Sequence, residues 1–267
     1  MMKWLIYTTL ALAFCAASAW ARQENGVERE ILLGNEAYAK FDNQKALQHF
    51  LTALDMDPNN YQALWKGARA YADVGRTFEH QEKNRAKLMY QTGDSLARKC
   101  VALYPDSADA HFALALCVGR VALFEGGKTK IRLSKEVKQE ADLAVALQPT
   151  HDAAYHILGR WHYNIATLGW ALKAVAKIVY GGVPPGATLA EAAKMFERAL
   201  ALNGEKPVHR LEYGRTLIAL EQYDEARVQL QECMALPQAQ WDDDMSKAEA
   251  ARLLKTIAGK HDKKDET

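Results

Sequence analysis

Three stretches of the 267-residue chain end alike: FLTALDMDP at Phe50–Pro58, ARKCVALYP at Ala97–Pro105 and ADLAVALQP at Ala141–Pro149. Five and eight positions before each proline stand Ala53 and Phe50, Cys100 and Ala97, Ala144 and Ala141. That spacing puts both residues on one face of a helix, and the proline ends the helix by removing an N–H donor. A helix that recurs with the same apolar face needs neighbours of its own kind to cover it, so the chain is expected to stack repeated units. No strand-like alternation of useful length occurs, and the expected fold class is all-α.

The segment Val27 to Asn60 forms one unit of 34 residues, with Leu33-Gly34 on its first helix, Ala46, Phe50 and Ala53 on its second, and Pro58 as the stop. It resembles the tetratricopeptide repeat, in which small residues at fixed points let two antiparallel helices approach closely. Further units are expected to start near Tyr61 (with Tyr71), near Ala108, near Asp152 (with Leu158-Gly159) and near Pro207 (with Tyr213-Gly214 and Ala226). The prolines step by 47 and then 44 residues, and the matching Gly204 follows Pro149 by 55, so units two to four are longer than the 34-residue first and fifth. The reading is therefore an α-solenoid of about five tetratricopeptide-like helix pairs with lengthened helices in repeats 2 to 4. Asp242-Asp243-Asp244 supplies N-cap candidates for a polar capping helix from about Met245 to Ile257. The expected domain spans 27–258, followed by a disordered charged tail at 259–267.

The balance of 34 Lys and Arg against 33 Asp and Glu gives no basic excess, so nucleic acid is not an expected partner. At the N-terminus Lys3 precedes the apolar run Trp4 to Ala17, and Ala19-Trp20-Ala21 supplies a small-residue cleavage site. Residues 1–21 read as a signal peptide that leaves a mature chain starting at Arg22, periplasmic or secreted. The alternative is an uncleaved membrane anchor, against which the run falls short of the roughly 20 residues that span a bilayer. Cys100, Cys117 and Cys233 remain after cleavage; a Cys100–Cys117 disulfide is conceivable, with buried thiols the default.

The fourth unit carries a more specific pattern from His156 to Leu202: Leu158-Gly159-Arg160-Trp161, Tyr163, Trp170, the Gly182 to Pro185 stretch, Ala187-Thr188, and Phe196 before Ala199. In order and spacing these residues resemble the regulator of microtubule dynamics family. The resemblance extends over Val27 to Ile257 and is distinctive over Ala108 to Leu202. It implies a non-enzymatic helical-repeat domain, whose eukaryotic members associate with microtubules or tether endoplasmic reticulum to mitochondria through a phospholipid-binding domain. The export signal departs from that cytosolic setting, so the fold is carried over, with lipid binding as an option.

In such stacks the first helices line a concave groove, and positions 2, 5, 9, 12 and 13 of each unit face it. Counting from the unit starts gives Asn35 and Tyr38, Trp65 and Arg69, Phe112 and Arg120, then His156, Arg160, Tyr163 and Asn164, and finally Leu211 and Arg215. Four arginines along one surface suit carboxylates or phosphates; the competing reading pairs them with Asp73, Asp109 and Glu212. Asn35 and Lys66 offer two residue types of the chaperone-tail clamp, but Ile31 stands where that clamp needs lysine. Ile165 to Tyr180 is apolar and would either pack on the neighbouring repeats or face lipid. Lys128, Lys130, Arg132, Lys135 and Lys138 form either a solvated face or a headgroup contact.

Gly127-Lys128-Thr129 imitates the end of a phosphate loop, but Ala122 occupies the place of its first glycine. The histidines do not pair at helical spacing with an acidic partner as metal ligands do, and no activated serine, zinc motif or dinucleotide loop is present. No cofactor, metal or catalytic residue is expected. The functional expectation is an adaptor that binds a peptide or protein with anionic groups in its groove. The alternative is phospholipid or amphipath binding, or tethering to a membrane surface.

Overall fold

The computed structural model describes residues 25–169, 173, 177, 182 and 184–262. Residues 1–24, which include the expected signal peptide at 1–21, together with residues 263–267, Gly181, Val183 and most of Trp170–Tyr180, lie outside the described residues. Within them every regular element is helical: α1 (residues 25–39), then α2 (Asn43–Met56), α3 (Tyr61–Thr77), α4 (Lys83–Leu103), α5 (Ala108–Ala122), α6 (Gly127–Leu147), α7 (Asp152–Ala166), α8 (Leu189–Leu202), α9 (Pro207–Ala219), α10 (Tyr223–Ala235) and α11 (Asp243–Thr256). Helices α1 to α10 pair in sequence order, α1 meeting α2 through Gly34 and Phe50, and α11 packs on α9 and α10 to close the stack. The all-α solenoid expected from the repeated endings is the observed fold.

Side chains set several helix starts by accepting N–H groups that have no partner inside the helix. Asp42 accepts from Lys45 at 3.0 Å, Asn60 from Ala63 at 3.1 Å, Ser107 from Ala110 at 3.2 Å and Thr188 from Glu191 at 3.0 Å. Pro207 occupies the first turn of α9, where its missing N–H costs nothing.

Within a pair, the contact between the two helices follows an exchange of size. A Cβ on Gly34 would lie 2.5 Å from the Phe50 ring, one on Gly159 2.7 Å from Phe196, and one on Gly214 2.8 Å from Leu230. Only glycine leaves room for those side chains. In the second and third pairs the equivalent position is Ala68 or Ala115, and the facing residue shrinks to Ala97 or Ala141; each of these alanine pairs shares a buried core. Either combination fills the same gap, one with a large side chain over bare backbone and one with two methyl groups.

The extra length is distributed differently from expectation. Helices α4 and α6 do run to 21 residues each, but α7 and α8 have 15 and 14. The additional residues of the fourth unit therefore lie between its two helices. Helix α11 starts two residues earlier than expected, with Asp243 inside it accepting the N–H groups of Ala239 at 2.7 Å and Gln240 at 2.8 Å. Of the tail, Asp262 accepts the Asp224 N–H at 3.1 Å and the Lys260 carbonyl accepts from Arg227.

Cys100, Cys117 and Cys233 are free and buried, so the Cys100–Cys117 bridge is not formed. The Cys117 thiol instead donates to the Ala68 carbonyl at 3.4 Å, inside the α3–α5 contact. Burial pushes the thiols up, Cys100 to about 12 and Cys233 to about 11, and raises Cys117 as well.

The size exchange makes a quantitative prediction for urea denaturation. Gly159→Ala should cost about 1–3 kcal/mol by overpacking, and Phe196→Ala about 3–5 kcal/mol by cavity formation. The double variant recreates the alanine pair of the third unit, so its loss should fall below the sum by at least about 0.5 kcal/mol. Strict additivity would contradict the size-exchange account.

Candidate functional site

The first helices α3, α5, α7 and α9 present their groove positions to one another, and the structure sorts the sequence-derived residues into three places. Trp65, Arg69 and Phe112 line one cavity of about 210 Å³, with Asp109, Gln148, Thr150, His151, Asp152, Ala153 and Lys206. Arg160 and Arg215 form a second group around the buried Glu212, at 3.3 and 3.7 Å. Arg215 also meets Glu249 at 3.2 Å. Arg120 stands apart from both, 3.6 Å from Glu79.

His156 turns toward α8 and α9, with its ring 5.5 Å from Phe196 and its Nδ1 3.0 Å from that of His209. Tyr163 packs against the C-terminal core of α8 to α11, in which Leu211 is buried, and Asn164 is exposed. Asn35 accepts a hydrogen bond from Lys66 at 2.8 Å, so the two clamp-like residues engage each other. On α6, Lys138 pairs with Asp142 at 2.6 Å and Arg132 with Glu136 at 3.2 Å. The expected row of arginines is thus divided among carboxylates: of the three acids named in the competing reading, Asp73 lies 3.9 Å from Arg69 and Glu212 lies 3.3 and 3.7 Å from Arg160 and Arg215, whereas Asp109 lies against His151.

The cavity is polar, and most of its charges are already matched. Asp109 accepts from the Tyr61 hydroxyl at 2.9 Å and lies 3.4 Å from His151 Nε2. His151 caps α7 by accepting the Ala154 N–H at Nδ1, 3.1 Å away, which fixes the proton on Nε2 and aims it at Asp109. The hydrogen bond from His151 holds the Asp109 carboxyl below the usual range against the effect of burial. Asp152 meets Lys206 at 2.5 Å and His209 at 3.0 Å. Burial opposes its ionisation, but those two partners outweigh burial and hold the carboxyl well below its ordinary value.

Two donors on α3 are less fully engaged. The indole N–H of Trp65 is buried and has no hydrogen-bond partner among the described residues. One turn further, the Arg69 guanidinium stacks on the Tyr38 ring at 4.6 Å and reaches Asp73 only at 3.9 Å. Asp73 accepts the Tyr38 hydroxyl at 2.7 Å, and burial pushes its carboxyl above the ordinary range although Arg69 opposes the shift. Trp65 and Arg69 stand four residues apart on α3 and so share one face of the helix, the face that lines the cavity.

Sequence counting found three residues of this lining and missed the others. Asp109 and Ala153 stand at position 2 of their units, a groove position, so the signal for them was present. Gln148, Thr150 and His151 come from the turn before α7, and Lys206 from the turn before α9; turns carry no place in a helix-position rule.

A profile of the Regulator of microtubule dynamics protein 1-3 family matches residues 34–258. The chain belongs to that family. Its relatives include Regulator of microtubule dynamics protein 1 of Bos taurus, 29% identical over 201 residues, which are 75% of this chain and 63% of that protein. The Mus musculus protein of the same name is 26% identical over 229 residues, covering 85% of this chain and 74% of its own length. The match to the cattle protein therefore leaves more than a third of that relative uncovered. Among solved structures, a thermophilic TPR protein of Thermus thermophilus superposes with a TM-score of 0.62 at 17% identity, over 85% of this chain and 99% of that one. That likeness concerns the fold.

The histidine pair gives the site a pH dependence. Burial lowers the His156 pKa well below its usual value, with the charges of His209 and Arg160 adding to the effect; burial also lowers His209, although Asp152 opposes it. The unfolded chain takes up these protons near pH 6.5 and the folded chain only further below. Stability is therefore fully present above about pH 6.5 and declines as pH falls. At pH 5.5 each histidine should contribute a loss of up to about 1.4 kcal/mol. His156→Gln, which does not titrate, should flatten the decline between pH 7.5 and 5.5 measured by urea denaturation; an unchanged slope would refute this assignment.

Proposed function

We propose that the protein is a non-enzymatic adaptor whose groove binds a peptide or protein segment and seats one carboxylate of that partner in the cavity between Trp65, Arg69 and Phe112. A tetratricopeptide-like fold supports the coarser statement, since its stacked helix pairs provide an extended concave surface for protein interaction. The finer statement rests on one observation: Asp109 and Asp152 already have partners, whereas the Trp65 indole N–H has none among the described residues. A buried donor without a partner is costly, and a ligand acceptor would relieve it. Arg69 would supply the charge, and the Phe112 and Trp65 rings the apolar walls.

A lipid phosphate would satisfy the same donors. The cavity of about 210 Å³ is smaller than the pockets of about 300–1,000 Å³ that enclose whole small ligands, which favours a single group carried on a longer chain over enclosed acyl tails. The name of the relatives points to microtubules, whereas the signal peptide read at residues 1–21 points to an exported protein; the groove chemistry proposed here applies in either setting.

Fluorescence anisotropy with labelled dodecapeptides bearing Glu or Asp beside an apolar residue, each matched to its Gln or Asn analogue, tests the proposal. Flotation with phosphatidic acid and phosphatidylcholine vesicles runs in parallel. Acidic peptides should bind at least tenfold tighter than their amides. Trp65→Phe and Arg69→Gln should each weaken that binding by about 1.5–3 kcal/mol, roughly ten- to hundredfold. Equal binding of acid and amide, or flotation with vesicles and no peptide binding, would overturn it.

A further inference from the structure

The run Asp242-Asp243-Asp244 reads as a helix start, yet Asp242 makes no side-chain cap on α11. Its carboxylate is paired instead with the guanidinium of Arg76, in the last turn of α3 and 166 residues away in sequence. Asp242 is 4% exposed and the Arg76 side chain 24%, so the carboxylate is buried and the guanidinium partly so. The same guanidinium lies over the ring of Trp241, 5.9 Å from its centre. A planar cation is thus held by an aromatic ring and a carboxylate from two consecutive residues of one segment.

Arg76 is not an arbitrary place on α3. Trp65, Arg69 and Asp73 follow one another at four-residue steps, and Arg76 continues the same face one turn on. The field of Asp242 also reaches Tyr38 and Asp73, where it favours the protonated forms. The loop between α10 and α11 therefore crosses to the groove-lining face of α3 and stands at the end of the row that begins at the cavity.

The loop belongs mechanically to the C-terminal end of the solenoid. Asp243 accepts the N–H groups of Ala239 and Gln240 at 2.7 and 2.8 Å, and Lys247 donates to the Leu236 carbonyl. Pro237, Gln238 and Ala239 are exposed. Trp241 and Asp242 carry the described ion-pair and ring contacts between this loop and α3.

We propose that residues 236–242 form a strap that closes the solenoid on itself, with Trp241 and Asp242 acting as a tethered ligand for Arg76. The face of α3 thereby recognises an aromatic residue followed by an acidic one, and release of the strap frees that face at Arg76, beyond the cavity that holds Arg69. This holds whatever partner the groove takes. Because the strap is tethered, its effective concentration lies in the millimolar range, and a free peptide of the same sequence is excluded from the intact chain.

The test uses the full chain, two variants and a dye-labelled peptide of residues 239–247, AQWDDDMSK. In Asp242→Ala the strap is released and the dock remains. Hydrogen exchange of the 236–242 amides and the last turn of α3 should quicken at least tenfold while α8 is unchanged, and the peptide should bind. Against Asp242→Ala the peptide with its first Asp replaced by Asn should bind at least tenfold more weakly, and the intact chain, whose Arg76 is already occupied, should bind the unmodified peptide at least tenfold more weakly than Asp242→Ala does. Arg76→Gln should show the faster exchange without peptide binding, since it frees the strap and removes the dock; it also gives the exchange reading if Asp242→Ala does not fold. Unchanged exchange, no peptide binding to a folded Asp242→Ala, or equal binding to the intact chain and both variants would each overturn the proposal.

Discussion

The contact between the two helices of each pair is the constraint on which the rest depends. Where Phe50, Phe196 or Leu230 projects from the second helix, the first carries Gly34, Gly159 or Gly214 beneath it; where the second carries Ala97 or Ala141, the first carries Ala68 or Ala115. The sum of the two side chains is kept within bounds, which lets successive pairs stack on one another. That regular stacking brings position 5 of α3 to position 5 of α5, Trp65 to Phe112, and makes a wall from residues 47 apart in sequence.

Charge within the groove follows from the same stacking. Each first helix sets its carboxylates and cations against those of the next, as Asp152 meets Lys206 and Arg160 meets Glu212. A chain with a formal charge of +1 has few cations to spare, and the structure uses most of the groove arginines internally. What distinguishes the cavity is the remainder, the Trp65 indole and a guanidinium supported by a tyrosine ring.

The helix pairs were legible because proline, glycine and alanine act locally: the endings at Pro58, Pro105 and Pro149 state where a helix stops and which face is apolar. Trp65, Arg69 and Phe112 were legible through their positions within a repeat. The partners of the arginines were only partly so. Asp73 lies one turn from Arg69, but Glu79 reaches Arg120 from another helix pair and Glu249 reaches Arg215 from the capping helix. Asp242 shows the limit most clearly, since its local context specifies a cap and its actual partner is fixed by how far the whole solenoid curls. Lengthening in the fourth unit was visible as a count of residues, but not the fact that α7 and α8 keep ordinary lengths.

The three described cysteines sit where helices touch, and all are held protonated by burial. Disulfide exchange requires a thiolate that an attacking partner can reach, and the folded solenoid offers neither. Its sensitivity to oxidation is accordingly a matter of timing: the thiols are exposed to exchange only until the helices of pairs two, three and five have closed over them, so the rate of folding, more than the redox poise around the finished protein, decides whether they stay free.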